Sequence, residues 1–331
     1  MIIVRAPFRI PIGGGGTDIP SYYKKYEGNL ITATINKYMF VYINEPALVD
    51  KIKIGYTKIE MIDVNNIDSI NHEIVRETLK YLNIKKPIEI YSMADLSAGT
   101  GMGSSSAYTV ALLHGLNTLN RRHLSPEKTA EEACKIEIDL IKKPIGKQDQ
   151  YASTFGGINE LKIDKNGNVK VNPIILKNET IYELENRLMM FYTNINRDTN
   201  EIINEQSNKI KTNEKKSTES MHKIKEIGIE IKNALLNDNI DKFGELLHEH
   251  WMEKRNITNK MSNNNIDNWY KIGLENGAIG GKIMGAGGGG FLLFCVKNSY
   301  RKQLRESMEK QGLKYMDFRF DFEGVKVLAN I

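Results

Sequence analysis

The stretch Ala98-Gly99-Thr100-Gly101-Met102-Gly103-Ser104-Ser105-Ser106-Ala107 runs directly into the apolar segment from Tyr108 to Leu113. Glycines without Cβ let a backbone pass close to a ligand, and small hydroxyls add donors. The apolar run that follows reads as a helix whose free N–H groups and dipole favour an anion. Gly99, Gly101, Met102, Gly103, Ser104, Ser105 and Ser106 therefore form a candidate phosphate cradle. A tight connection before a helix would use some of the same residues, but alternating glycines followed by a run of serines are more specific than a lone GxGxxG.

Two more loops share this character. In Arg5-Ala6-Pro7-Phe8-Arg9-Ile10-Pro11-Ile12-Gly13-Gly14-Gly15-Gly16-Thr17-Asp18, the consecutive glycines cannot build a strand interior and mark a turn. An Arg before that turn and an Asp behind it can face a common ligand. The segment Gly280-Gly281-Lys282-Ile283-Met284-Gly285-Ala286-Gly287-Gly288-Gly289-Gly290 enters a strand and again exposes backbone N–H groups. Convergence on one cleft explains glycine-rich loops so far apart in sequence better than unrelated connections do.

The elements that must position these loops are legible as pattern. Ile2 to Val4, Asn29 to Ile35 and Tyr38 to Ile43 read as strands of one sheet, separated by turn signals. Helices are predicted over 71–82 and 107–120, the second apolar nearly all round and so buried on that sheet. Another begins with Ser125 as N-cap and Pro126 at its first position and runs to about Ile141. Residues 186–194 look like a strand opening the second half. Ile224, Ile227, Ile231 and Leu235, then Ile240, Phe243, Leu247 and Trp251, mark long amphipathic helices. Gly290 to Val296 and Tyr315 to Phe322 return to strand character, so the second half is α+β with helices inserted between strands.

A chain of 331 residues exceeds what one core usually serves, and two lobes with substrate between them are expected. The formal charge of +5 is mild, with Lys and Glu interspersed, which argues against a nucleic-acid surface; Lys209 to Lys216 reads as a solvated helix face. Cys134 and Cys295 lack CxxC or zinc spacing and read as inert thiols of a reducing compartment. Charge and Pro interrupt the N-terminus before a signal-peptide core forms, and no segment is long and apolar enough to span a bilayer. A soluble cytoplasmic protein, monomeric or homodimeric, is expected. His248 and His250 with Trp251 lie on an amphipathic helix and read as packing or capping, without the third ligand a zinc site needs.

In order and content, the three loops resemble those of the GHMP kinase superfamily, and the similarity covers nearly the whole chain. The galactokinase signature Ala-Pro-Gly-Arg-Val-Asn-Leu-Ile-Gly-Glu-His-Thr-Asp lies on Ala6 to Asp18 without a gap, and Gly-Leu-Gly-Ser-Ser lies on Gly101 to Ser105. The resemblance implies a two-lobed α+β fold. Its N-terminal lobe (1–185) would resemble ribosomal protein S5 domain 2, and its C-terminal lobe (186–331) would be ferredoxin-like with inserted helices. It implies ATP as co-substrate on the 99–106 loop and Mg²⁺ held by Ser105 and Glu137. Asp149, twelve residues after Glu137, would accept the hydroxyl proton or stabilise the attacking oxygen, with Arg9 orienting it.

Departures from galactokinase point at the acceptor. Gly15-Gly16 replaces Glu-His ahead of Thr17-Asp18, which deletes two polar side chains and leaves room while keeping Asp18 for ring hydroxyls. Gly13 to Tyr23, Gln148 to Tyr151, Thr193 to Glu201 with Arg197, and Leu246 to Glu249 ahead of Gly277 to Gly290 resemble D-glycero-D-manno-heptose 7-phosphate kinases, which phosphorylate the anomeric hydroxyl on the route to nucleotide-activated heptose for capsule or surface glycans. A sugar phosphate implies a cationic partner, for which Arg197 and Lys147 are the candidates. Gly14, Gly15, Gly16, Thr17, Asp18, Gly285 and Gly287 complete the expected sugar site. A fucokinase-like enzyme shares parts of this pattern, and Lys147 stands where an aromatic residue is expected. A non-catalytic sugar- and ATP-binding regulator of the same fold is the alternative of another class; intact Asp149, Glu137 and Ser105 weigh against it.

Overall fold

The computed structural model describes residues 1–195, 199–212 and 214–331, with residues 199 and 200 described by backbone alone. The chain opens with β1 (Ile2–Gly13), α1 (Pro20–Tyr26), β2 (Gly28–Asn44), β3 (Lys51–Gly55), β4 (Ile59–Asp63), α2 (Glu73–Tyr81) and β5 (Ile88–Ala94). It continues through α3 (Ser104–Leu119), α4 (Pro126–Cys134), α5 (Gln148–Phe155), β6 (Ile158–Ile163), β7 (Val169–Pro173) and α6 (Asn178–Arg187). The second half holds β8 (Leu188–Tyr192), α7 (Thr199–Lys211), α8 (Lys215–Leu236), α9 (Ile240–Arg255), α10 (Asn264–Glu275), β9 (Ala278–Ile283), β10 (Phe291–Val296), α11 (Arg301–Lys310), β11 (Lys314–Met316) and β12 (Lys326–Asn330).

In the first sheet the strands run β12-β1-β2-β5-β3-β4, with β6 and β7 continuing from the lower half of β2. The two strands read from Asn29 to Ile35 and Tyr38 to Ile43 are one, because β2 is long enough to pair with β6 through its first half and β5 through its second. β1 lies antiparallel along it, and its register shifts fall at Pro7/Phe8 and Pro11/Gly13. A proline cannot donate to the ladder, so each of these prolines sits where the pairing is already broken. α3 packs its apolar surface on β1 and β2 as expected. The helix from Ser125 widens into a π-turn at Lys135–Leu140, and that turn carries Glu137 inward with no exposed surface.

The second sheet runs β11-β8-β10-β9, wholly antiparallel. Its chain order, strand–helices–strand–strand–helix–strand, is ferredoxin-like, with α7 to α10 filling the first crossover. The strand expected over Tyr315 to Phe322 is shorter: only Lys314–Met316 pairs with β8, and a single Ile35–Phe320 bridge ties the following segment to the first sheet. β12 then pairs with β1, so the end of the chain belongs to the first lobe's sheet and not to the second. Among the described residues no helix is long and apolar enough to cross a membrane.

The lobes share a core. Val4, Phe8 and Ile10 of β1 join Ile231, Leu235, Phe243, Leu247 and Leu293 in one buried cluster. Trp251, Tyr270, Phe294 and Leu304 form another on the far side of the second sheet. α8 approaches the end of β1 backbone to backbone: a Cβ on Gly228 would stand 2.9 Å from the nitrogen of Gly14. In an open helix Gly228→Ala would stabilise by roughly 1 kcal/mol. Here it is expected to destabilise, and Gly228→Val to cost about 1–3 kcal/mol as overpacking. Urea denaturation measures both, and an Ala midpoint at or above wild type would mean that α8 has room to move.

Candidate active site

The centre of the cleft is Arg9, in the buried half of β1. Its Nε and Nη2 donate to the two carboxylate oxygens of Asp149 at 2.6 and 2.8 Å, and its Nη1 donates to the Gly101 carbonyl at 2.7 Å. The Arg9 backbone N–H also donates to the Met102 carbonyl. Asp149 stands in the first turn of α5. One planar guanidinium thus fixes the acid and the glycine loop together, as only its fork geometry allows. Gly103, in the left-handed region at φ 77°, precedes α3, whose first turn carries no side-chain cap. A Cβ there would lie 3.1 Å from Asp149 Oδ2. The third loop touches the second, since a Cβ on Gly285 would meet Gly101 at 2.8 Å. The convergence read from the glycines is therefore physical contact.

Beside the loop, Ser105 Oγ donates to Glu137 Oε1 at 2.7 Å, and Gln150 Nε2 donates to Glu137 Oε2 at 2.7 Å. The Lys143 ammonium reaches both Ser105 Oγ and Glu137 Oε1. A cation therefore already occupies the position between these oxygens.

Two cavities meet at Arg9 and Asp149. The larger, about 770 Å³, is walled by Gly99, Gly101, Gly103, Ser104, Ser105, Ser106 and Lys143 at one end. At its other end are Met39, Tyr56, His72, Met93 and Tyr108. There the His72 ring meets Tyr56 edge-on at 4.8 Å and Tyr108 at 4.9 Å, and burial holds its imidazole below the usual histidine range. The smaller cavity lies on the other side of Asp149 and is walled by Gly15, Gly16, Asp18, Gln148, Gln206, His250, Lys254 and Lys282. Asp18 accepts from the backbone N–H groups of Gly16 and Gln148. Burial, with some help from the charge of Asp149, raises its carboxyl above the ordinary range against those hydrogen bonds.

Several expected sugar residues stand elsewhere. Lys147 turns out of the cleft: its ammonium binds both Glu131 oxygens at 2.9 Å and the Gly167 carbonyl at 2.6 Å. Thr17 is buried and donates to Gly14 and Asn29 carbonyls, while Gly14 packs against Asn29 and Gly287 against Met261. These residues shape loops and do not line the cavity. Met102 is wholly buried and contributes its carbonyl. The room expected at the glycine pair exists at Gly15 only; at Gly16 a Cβ would strike Gln206 of α7 at 2.7 Å. Arg197 lies outside the described residues.

The sequence reading missed Lys143, Gln150, Gln206, Lys254 and Lys282, and it took His250 as packing. A signal existed for two of these. His250 and Lys254 are one helical turn apart on the face of α9 that carries Leu247 and Trp251 into the core, where polar residues are out of place.

Family models described as GHMP kinases N terminal domain and GHMP kinases C terminal match residues 71–157 and 231–314. The D-glycero-alpha-D-manno-heptose 7-phosphate kinase of Campylobacter jejuni is 33% identical, with 98% of each chain covered. The galactokinase of Pyrococcus furiosus is 27% identical over 70% of this chain and 71% of its own. A crystal structure of a D-glycero-D-manno-heptose 1-phosphate kinase from Bacteroides thetaiotaomicron superposes with a TM-score of 0.83 at 26% identity, covering both chains in full.

A branched side chain at Gly103 would meet an unfavourable φ and displace Asp149. Gly103→Val is expected to weaken ATP binding by about tenfold or more, from a left-handed penalty of roughly 1–2 kcal/mol. Calorimetry beside a melting curve checks this, and unchanged ATP affinity in the folded variant would count against the cradle.

Proposed function

This chain belongs to the GHMP kinase family, and from that premise we propose that it transfers the γ-phosphoryl group of ATP to the anomeric hydroxyl of D-glycero-D-manno-heptose 7-phosphate. The product is the 1,7-bisphosphate, an intermediate toward nucleotide-activated heptose. The observation that carries the reading is the Asp149 carboxylate, held by Arg9 between the phosphate loop and a second, polar cavity.

Phosphoryl transfer needs a hydroxyl in line with the γ-phosphate, neutralised charge and a destination for the hydroxyl proton. The apolar end of the larger cavity, around Met39, Tyr56, His72 and Met93, receives the base. The triphosphate lies on the backbone of Gly99 to Ser106 and the uncapped N-terminus of α3. Ser105 and Glu137 fit Mg²⁺: both offer hard oxygen donors, already bridged by a cation, at the mouth of the loop. No cluster of three or more His, Cys, Asp or Glu that could hold a metal occurs among the described residues, so phosphates and water would complete the shell. The ion would neutralise phosphate charge, and Lys143 is placed to share that work. The sugar fills the smaller cavity with its anomeric hydroxyl on Asp149. As the new oxygen–phosphorus bond forms and the bond to ADP breaks, the hydroxyl proton passes to Asp149. Arg9 keeps that carboxylate aimed throughout.

An ADP-release assay over phosphorylated and free sugars tests the reading. Heptose 7-phosphate is expected to turn over much faster than galactose, mevalonate or unphosphorylated heptose. A preference for free fucose would make the enzyme fucokinase-like, and ATP binding without turnover of any sugar would favour a regulator.

Asp149→Asn keeps the shape of the side chain and removes the base. It is expected to lower kcat by roughly 10²- to 10⁴-fold while ATP affinity stays near wild type. Near-normal turnover of the purified variant would exclude Asp149 from the chemistry.

A further inference from the structure

The smaller cavity holds buried basic groups that the phosphoryl-transfer chemistry does not use. Lys282, on β9, is about 1% exposed, and its ammonium donates to the Ile12 carbonyl at 3.2 Å. It has no carboxylate partner among the described residues. His250, on α9, is equally buried, and neither ring nitrogen has a hydrogen-bond partner among the described residues. Lys254, one turn further along α9 and 7% exposed, donates to the Gly285 carbonyl in the same wall. Gln148 adds an amide nitrogen that is buried without a partner among the described residues.

A buried polar group without a partner costs free energy, and a buried cation costs more. Packing several basic groups together compounds this. Burial first, then the charges of Lys282 and Lys254, hold the His250 imidazole far below its usual range. Burial first, then Lys254 and Arg9, do the same to the Lys282 ammonium. Among the described residues, the carboxylates that line this cavity do not pair with Lys282 or His250. Asp149 is engaged by Arg9, and Asp18 is bound by backbone amides, with its carboxyl raised by burial. Asp18 and Asp149 come from the loop after β1 and from α5, whereas the basic groups come from α9 and β9.

We propose that Lys282, Lys254 and His250 form an anion subsite that binds the phosphate already carried by the sugar substrate, at the end of the acceptor cavity formed by α9 and β9. This rests on the sugar phosphate reading above and names the residues that select for it. The subsite replaces Lys147, which is committed to Glu131. A dianion supplies the acceptors that Lys282 and His250 lack. It also restores their charged forms, so binding takes up protons from solution. A sugar without the phosphate leaves Lys282 and His250 buried and unmatched, the kind of mismatch by which a polar pocket discriminates strongly.

The test separates this subsite from the kinase reading. With the phosphate loop occupied by a non-hydrolysable ATP analogue and Mg²⁺, inorganic phosphate is titrated by calorimetry into wild type, Lys282→Met and Lys254→Met. Heptose 7-phosphate and free heptose are then compared as acceptors. Wild type is expected to bind phosphate, and each variant to bind it at least about tenfold more weakly with analogue affinity unchanged. The preference for the phosphorylated heptose in kcat/KM should fall by a similar factor. If Lys282→Met does not fold, Lys254→Met carries the test, with Lys254→Arg expected to restore binding in part. Variants that fold and bind the analogue yet retain full phosphate affinity and full preference overturn the subsite, even if heptose 7-phosphate is the substrate. Phosphate binding lost in the variants while heptose 7-phosphate is not turned over upholds the subsite and overturns heptose 7-phosphate as the acceptor.

Discussion

The guanidinium of Arg9 is the constraint on which the cleft depends. Two of its donors are spent on Asp149 and a third on the Gly101 carbonyl. Strand β1, the phosphate loop and helix α5 therefore cannot move independently at this point. A buried guanidinium is tolerable here because its donors are satisfied by the Asp149 side chain and the Gly101 carbonyl. The glycines around it follow from that fixed centre. Gly103 has no Cβ because Asp149 stands where one would point, and Gly101 and Gly285 have none because the two loops cross there in contact. The glycine content of the cleft is a packing consequence of Arg9 as much as a provision for phosphate.

Charge is divided across that centre. On the loop side a fully buried carboxylate, Glu137, is balanced by Lys143, the Ser105 hydroxyl and the Gln150 amide, an arrangement able to exchange one cation for another. On the far side the balance fails, since Lys282 and His250 face a cavity whose acids are already engaged. On the proposed reading, a nucleotide would bring negative charge to one side and a phosphorylated acceptor would bring it to the other. Between the two sides Arg9 and Asp149 already neutralise each other, so ligand charge arriving there would be compensated at both ends rather than at the centre.

How much of this was legible in the sequence follows from what each residue's neighbours in the chain reveal. The phosphate loop, α3, the Ser125-Pro126 helix start and the amphipathic helices from Ile224 to Trp251 are local patterns, and they stand where the periodicity put them. Arg9, Ser105, Glu137 and Asp149 were found through motif resemblance, and Arg9 meets Asp149 and Ser105 meets Glu137 because β1, α3, the π-turn and α5 pack together within the first lobe. Lys147 misled, since its position beside Asp149 is real but α5 begins there and turns its side chain toward Glu131. β12 was not foreseen because its pairing with β1 is a contact between the two ends of the chain, with no local trace beyond a short alternation. Lys282 was hidden by its own glycines: a loop was read there, but β9 carries it into the wall as a strand residue.

The smaller cavity takes most of its wall from the first lobe, but part of it comes from helices inserted into a scaffold that does not need them. The ferredoxin-like sheet is complete with β8 to β11 and α11, yet Gln206 comes from α7, and His250 and Lys254 come from α9, both within the first crossover. Strand register fixes Arg9, and the loop backbone fixes Gly103, so these positions have little freedom. Helices in a crossover are held only by the face they bury, and the residues they present to the cleft can change without disturbing either sheet. Gly16 illustrates the division of labour. The chain yields space there in the first lobe, and α7 of the second lobe fills it with an amide. The sheet-anchored half of the cleft thus has little freedom, while the side chains that α7 and α9 present to it can vary independently of both sheets.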